Sequence, residues 1–248
     1  MIDSLSERPL ALFIDDGGVM NDNNLRAPEW RRLIGEFMPS RMGGTAEQWA
    51  SANQAVFPVI WQHMLQRFHT FASHQAFYRT YAIGWISEMC SYLGVAVPPE
   101  EDAITLYSEL AVYVGKREDC SIEGAASAVD SLHDSGYRLF TASGTASWEL
   151  RAITARMGLA ETFLELYGPD LIDHVKFGTE YYEGIFAHSG VQPKDALVIE
   201  SDKECCRWAI ESGANAVWID PRGRGDATSL AAIAHALLWS KQQGSSRS

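Results

Sequence analysis

A short apolar segment that ends in acids and glycines constrains this chain more than any other feature of its sequence. Five apolar residues, Leu10 to Ile14, are followed directly by Asp15, Asp16, Gly17 and Gly18. A run of this length predicts a strand buried on both faces, as in a parallel sheet. Open α/β sheets bind ligands at the carboxyl ends of such strands, and glycine lets the backbone approach a ligand closely. The sequence therefore predicts a site that begins at Asp15.

The rest of the chain has two distinct patterns. Residues 24–117 carry apolar side chains at spacings of three and four, which predict an insertion of four or five amphipathic helices. From about residue 118 strands and helices alternate, which predicts a Rossmann-like parallel sheet with crossover helices. The predicted organisation is an α/β core of residues 1–23 and 118–241, an all-helical insertion, and a disordered tail of residues 242–248. The later predicted strands are Tyr137–Thr141, Leu164–Tyr167, Ala196–Ile199 and Ala216–Ile219.

Composition and charge narrow the range of partners. The net charge of -12 repels nucleic acid and anionic membrane surfaces, so that an anionic substrate needs a local positive pocket. The four cysteines show no C-x-x-C spacing, which favours reduced thiols over a metal site. No window approaches the roughly 20 apolar residues of a membrane span, and the first residues do not resemble a signal peptide. We expect a cytoplasmic monomer or homodimer that acts on a small molecule.

The first segment resembles the first signature of the haloacid dehalogenase-like (HAD) hydrolases, an apolar strand followed by D-x-D-G-[TV]-[LV]-x-D. In an alignment without gaps, Asp15 matches the nucleophile, Gly18 matches the glycine of the signature and Asp22 matches its last acid. Gly17 falls where the family usually has its second Asp, which in the phosphatases protonates the leaving oxygen and then activates water. The resemblance implies a HAD-like fold in which residues 24–117 form a helical cap, and hydrolysis through an aspartyl nucleophile.

Two later strand ends extend this resemblance. Thr141 matches the Ser/Thr of the family's second signature, and its hydroxyl is expected to hold a phosphate oxygen together with the backbone N–H groups of Ala142 and Ser143. Lys176 resembles the Lys of the third signature, which neutralises the charges of nucleophile and substrate. We therefore expect Asp15, Thr141 and Lys176 to be catalytic. Lys176, Gly18, Ala142 and Ser143 are expected to bind the substrate.

The fourth signature of the family is an apolar strand that closes with acids holding Mg²⁺. Here the strand ends in Glu200, Ser201 and Asp202, and Ser201 stands where relatives carry the metal-binding Asp. Either of the flanking carboxylates suits a hard cation. The resemblance implies a magnesium site made by Asp15, the carbonyl of Gly17, and Glu200 or Asp202.

These features favour a Mg²⁺-dependent phosphatase of a small phosphorylated metabolite. One alternative is a dehalogenase-type hydrolase, because halide leaves without a proton and such relatives also lack the second Asp and the metal. Another is a catalytically silent homologue that binds a ligand or partner. The phosphonoacetaldehyde hydrolases need a cap lysine, and the insertion has none before Lys116 at its edge. The aromatic residues of the insertion, such as Trp30 and Trp61, are expected to line an apolar pocket.

Overall fold

The computed structural model describes residues 11–245, with side chains as far as Trp239. The chain divides into two compact units. The first contains the segment that ends at Asn23, residues 121–172, and the chain from Lys176 onwards. The second contains residues 24–120 together with residues 173–175. Leu10, the first residue of the predicted apolar run, lies outside the described residues.

The first unit is built on a parallel sheet, as the sequence predicts. Within residues 11–245 the sheet has five strands in the order β3-β2-β1-β4-β5. Its strands are Ala11–Ile14 (β1), Arg138–Ala142 (β2), Glu165–Tyr167 (β3), Ala196–Glu200 (β4) and Asn215–Trp218 (β5). The predicted Rossmann-like α/β core is confirmed by this arrangement. The ends of the four later strands differ from the predicted ends by at most one residue.

Both faces of the sheet are covered, which explains why β1 is an uninterrupted apolar run. Leu12 and Ile14 are fully buried in the cluster on one face. Phe13 is fully buried on the other face, where its ring stacks on Phe140 at a centroid distance of 4.9 Å. Side chains alternate between the faces of a strand, so a strand covered on both sides needs apolar residues at every position.

Helices surround this sheet. Those of the first unit are Ala125–Asp134 (α6), Ser147–Arg156 (α7), Thr179–Ser189 (α8), Lys203–Glu211 (α9) and Leu230–Ser245 (α10). Helix α10 ends at Ser245, and residues 242–245 of the predicted disordered tail therefore belong to it. Residues 246–248 of that tail lie outside the described residues.

The second unit is helical throughout and corresponds to the predicted insertion. Its helices are Asn23–Phe37 (α1, of which Asn23 belongs to the first unit), Pro39–Met42 (α2), Ala46–Arg67 (α3), His74–Leu93 (α4) and Glu100–Gly115 (α5). Aromatic rings form much of its interior, since Trp85 is buried and lies 5.6 Å from Trp30 between ring centroids. Trp61 packs edge-on against Tyr81 at 6.2 Å. The role of this unit as a cap, and of Trp30 and Trp61 in a pocket, stays a prediction.

Candidate active site

The sheet register brings three strand ends to the same level. Ile14 of β1 lies beside Thr141 of β2 and Ile199 of β4. The residues that follow them, Asp15, Ala142 and Glu200, therefore meet at the carboxyl edge of the sheet. This is the position at which parallel α/β sheets bind their ligands.

The turn after β1 separates the roles of its two acids. The backbone N–H of Asp15 donates to the carbonyl of Ile199 at 2.9 Å, which continues the ladder and fixes Asp15 at the sheet edge. Asp16 is fully buried, and its carboxylate accepts a 2.6 Å hydrogen bond from the side chain of Asn21. The carbonyl of Asp16 also accepts the N–H groups of Met20 and Asn21 at 2.9 and 3.0 Å. Asp16 therefore holds the turn together and leaves Asp15 as the acid available for chemistry.

Lys176 is the centre of the polar cluster at this edge. Its ammonium group donates to Oδ1 of Asp15 at 2.9 Å and to the carbonyl of Ala142 at 2.8 Å. The same nitrogen lies 2.8 Å from Oε1 of Glu200. An ammonium has three protons, and these three acceptors use them all. The structure thus brings together Asp15, Lys176 and Glu200 across 185 residues of sequence.

Two carboxyl groups share this single buried cation, and their pKa values respond accordingly. Burial raises the pKa of Asp15, against the opposing effect of Lys176. Burial and then the charge of Asp15 raise the pKa of Glu200 to about 8. Burial lowers the pKa of Lys176, but the two carboxylates raise it to well above its usual value. Because the pKa of Glu200 is about 8, Glu200 is protonated near neutral pH, while the charge of Lys176 favours the ionised form of Asp15 that a nucleophile needs.

Glu200 has a second partner that the sequence analysis missed. The hydroxyl of Tyr182, in helix α8, donates to Oε1 of Glu200 at 2.7 Å. Both side chains are fully buried. Oε2 of Glu200 has no hydrogen-bond partner within the described part of the chain, and a buried oxygen of this kind calls for water or a ligand. The position of Tyr182, six residues after Lys176, is the only sequence signal for this contact.

The residues predicted to hold a phosphate have other partners. The hydroxyl of Thr141 is buried and donates to the carbonyl of Tyr167 at 3.1 Å. The N–H of Ser143 donates to the same carbonyl at 3.1 Å, because β2 continues alongside β3 as far as Ala142. The first turn of α7 is occupied by the carboxylate of Asp170, which accepts from the N–H of Ser147 at 2.7 Å. Ala142 contributes its carbonyl to Lys176, and the role of Thr141, Ala142 and Ser143 in holding a phosphate stays a prediction.

The residues predicted to hold magnesium have protein partners in this structure, and their role at a metal stays a prediction. The carbonyl of Gly17 accepts a 2.6 Å hydrogen bond from the hydroxyl of Ser201. The carboxylate of Asp202 is turned to the start of α9, where it caps the N–H groups of Glu204 and Cys205. Oε1 of Glu200 lies beside the Lys176 ammonium, whereas its Oε2 has no partner among the described residues. Among the residues that the structure describes, no group of three or more His, Cys, Asp or Glu side chains suits a metal ion.

The two glycines of the turn differ in what they require. Gly18 has a φ of +77°, in the left-handed region that favours glycine, and a Cβ there would lie 2.7 Å from Cβ of Ser201. Gly18 is therefore needed for close packing, which is a more specific role than the predicted substrate contact. Gly17 has no left-handed backbone, and a Cβ there would meet only the end of the Asn23 side chain, at 2.7 Å from Oδ1.

Comparisons with known proteins agree with the architecture and leave the chemistry open. No protein-family model matches the chain, and no curated protein matches it by sequence. The defluorinating L-2-haloacid dehalogenase Rha0230 matches in structure with a TM-score of 0.65 and 12% identity, over 94% of this chain and 97% of that one. No helix in the described part of the chain is both long and apolar enough to cross a membrane.

Two further solved structures widen the comparison. The HAD hydrolase YfnB from Bacillus subtilis, solved with magnesium bound, matches with a TM-score of 0.64 and 16% identity, over 93% of this chain and 99% of that one. A HAD phosphatase from Thermococcus onnurineus matches with a TM-score of 0.54 and 15% identity, over 89% of this chain and 94% of that one. Dehalogenases and phosphatases thus share this architecture. The chain has the fold of the haloacid dehalogenase-like superfamily.

Proposed function

We propose that this protein is a HAD-type hydrolase in which Asp15 attacks carbon, displacing a leaving group that departs as a stable anion, without a metal ion. The observation that carries this proposal is the 2.6 Å hydrogen bond from Ser201 to the Gly17 carbonyl. It places a neutral hydroxyl where a metal-dependent relative would present its ligands. The magnesium-dependent phosphatase that the sequence favours is then the less well supported alternative.

The charge balance of the site supports a carboxylate nucleophile. Lys176 holds Oδ1 of Asp15, so Oδ2 is the oxygen left to attack. In the first step this oxygen forms a bond to the substrate carbon while the bond from that carbon to the leaving group breaks, and the leaving group takes the electron pair. A halide needs no proton as it leaves, which suits a site with Gly17 in place of an acid. The product of this step is an ester of Asp15.

Hydrolysis of the ester needs a base. Water adds to the carboxyl carbon of Asp15, loses a proton, and the collapse of the adduct releases the alcohol product and restores the carboxylate. Glu200 is suited to take that proton, because its Oε2 has no protein partner in the described structure and its pKa is about 8. Lys176 stabilises the negative charge that forms on the Asp15 oxygens.

The substrate class follows from this chemistry and from the relatives. We infer a small 2-halogenated carboxylic acid, because two structural relatives of the same fold are described as L-2-haloacid dehalogenases.

An isotope experiment separates attack at carbon from attack at phosphorus. In H₂¹⁸O, hydrolysis of an alkyl ester of Asp15 places ¹⁸O in the Asp15 side chain, because water adds to the carboxyl carbon. Hydrolysis of a phosphoryl ester by attack at phosphorus leaves Asp15 unlabelled. After turnover of 2-chloropropanoate in the presence of a chelator, we expect the mass of the peptide containing Asp15 to rise by about 2 Da, the difference between ¹⁸O and ¹⁶O. Mass spectrometry of the digested protein measures this.

The alternatives predict different results from the same protein. A phosphatase hydrolyses an aryl phosphate with Mg²⁺, loses that activity to the chelator and shows no label in Asp15. A silent homologue releases neither halide nor phosphate. Either result would overturn the proposed function. The Asp15→Asn variant, which lacks the nucleophile, is the control for contaminating activity.

A further inference from the structure

The side chain of Asn23 lies against the backbone directly after Asp15. Its Oδ1 and Nδ2 atoms lie 2.7 and 3.2 Å from the position that a Cβ on Gly17 would take. Its Nδ2 is also 3.6 Å from the corresponding position on Gly18. The amide group therefore fills the space that a side chain at residue 17 would enter first. This exposed amide lies beside Gly17, which comes two residues after the proposed nucleophile, Asp15.

Ser201 is the second side chain that lies against Gly17 and Gly18. Ser201 packs against Gly18 and uses its hydroxyl on the Gly17 carbonyl. Asn23 differs from Ser201 in being exposed and in having no side-chain hydrogen bond to any other described residue. Its two amide protons are free to bind a ligand, whereas the hydroxyl proton of Ser201 is not.

We propose that Asn23 is a specificity-determining residue whose amide donates a hydrogen bond to the departing anion. This inference rests on the proposed function. An amide can stabilise an anion by hydrogen bonding but has no acidic proton to give away. A site with Gly17 and Asn23 therefore suits leaving groups that depart as anions, and it works poorly on alkoxides, which must be protonated.

The halides give a graded test of this role. Fluoride concentrates its charge in the smallest volume and depends most on hydrogen bonds as it leaves, whereas bromide depends least. Removing the amide should therefore slow the release of fluoride more than that of chloride, and that of chloride more than that of bromide. A lost hydrogen bond to a charged group corresponds to about a tenfold to hundredfold change in rate.

The experiment measures halide release in the first turnover from 2-fluoro-, 2-chloro- and 2-bromopropanoate. We expect Asn23→Ala to lose at least about tenfold more rate on the fluoro acid than on the bromo acid. Gly17→Ala should show the same pattern, because its Cβ displaces the Asn23 amide. The double variant should lose little more than either single variant, since both remove the same contact. Asn24→Ala, one residue further along α1, is the matched control and should show no dependence on the halide.

The outcomes distinguish this inference from the proposed function. Equal losses on all three acids, or additive losses in the double variant, would overturn the role of Asn23 while leaving the proposed function in place. A wild-type protein that releases no halide from any of the acids overturns both. Thermal unfolding of each variant checks that the fold is retained.

Discussion

Two neighbouring strand ends of the sheet carry ion pairs of opposite character. After β5, Asp220 contacts two exposed arginines, Arg222 and Arg224. At the ends of β1 and β4, Asp15 and Glu200 share the single ammonium of Lys176. The backbone N–H of Arg222 and the two guanidinium groups lower the pKa of Asp220, whereas burial raises the pKa values of Asp15 and Glu200.

The difference lies in the ratio of charges and in the exposure of the cations, because the side chains of Arg222 and Arg224 are 74% and 56% exposed and that of Lys176 is 9% exposed. Asp220 has two cations for one carboxylate, which favours its ionised form, and it ties down the loop of residues 220–226. The Lys176 cluster has one cation for two carboxyl groups, and both are buried. Because this buried cluster has fewer positive charges than carboxyl groups, one carboxyl group, Glu200, titrates near neutral pH. Groups that titrate in this range are typical of catalytic sites. The comparison predicts that substitutions in the Lys176 cluster affect the chemistry, whereas substitutions at Asp220 affect only its loop.

The largest expected effect is that of Asp15→Asn. This change keeps the shape of the side chain but removes the nucleophilic charge, and we expect turnover to fall by at least about 10⁴-fold. Asp220→Asn is the matched control, because it makes the same chemical change at the carboxyl end of β5. It should leave turnover unchanged. Halide release and thermal unfolding of both variants measure this, and an Asp15→Asn protein with more than a few per cent of wild-type activity would exclude the covalent role.

The second effect in size is that of Lys176→Met. Both carboxyl groups lose the cation that opposes the rise of their pKa values, so the pKa of Asp15 rises further and a smaller fraction of this side chain is ionised. We expect turnover to fall by about 10²- to 10³-fold, with partial recovery as the pH is raised. Lys194→Met, at the amino end of β4, is the control. A loss that is the same at every pH would show that Lys176 does not act by keeping Asp15 ionised.

The strands and the two principal residues of this cluster follow from the sequence, but its connections do not. Asp15 stands directly after an apolar strand, at the start of a run of acids and glycines. Lys176 stands in a loop that leads into a helix. The partner of the Gly17 carbonyl is 184 residues away, and nothing in the sequence distinguishes a serine that donates to it from one that does not. Asp202 was expected at a metal because acids suit hard cations, yet an Asp before a helix also caps its first N–H groups.

The hydroxyl of Thr141 illustrates the same limit. A Ser or Thr at the end of β2 is compatible with a ligand contact and with a bond to the next strand, and only the position of β3 decides between them. The register of β2 and β3 places the carbonyl of Tyr167 within reach, and it accepts both the hydroxyl of Thr141 and the N–H of Ser143. This partner of Thr141 depends on the pairing of β2 with β3, which the local sequence around Thr141 does not specify.

The smallest predicted effects concern the proton on Glu200. Because the pKa of Glu200 is about 8, it is protonated below that pH and is a base only above it. Hydrolysis of the Asp15 ester should therefore accelerate as the pH rises through about 8. Glu200→Gln cannot lose this proton, so the acceleration should disappear and the ester of Asp15 should accumulate, as mass spectrometry of the intact protein would detect. A pH profile that is the same in Glu200→Gln and in the wild type would exclude Glu200 as the base.

Tyr182→Phe makes the same test more finely. The hydroxyl of Tyr182 donates to Oε1 of Glu200, and this hydrogen bond lowers the pKa of the carboxyl group. Without it the pKa of Glu200 rises, so the midpoint of the pH profile should move upward while the rate on the alkaline plateau stays close to that of the wild type. Tyr181→Phe is the matched control, since the hydroxyl of Tyr181 donates to the carbonyl of Ser143. If the midpoint moves upward in Tyr182→Phe but not in Tyr181→Phe, the titrating group is Glu200. Only the first of these variants removes a hydrogen bond to the Glu200 carboxyl group. A shift of equal size in both would point to a general change in the burial of the cluster.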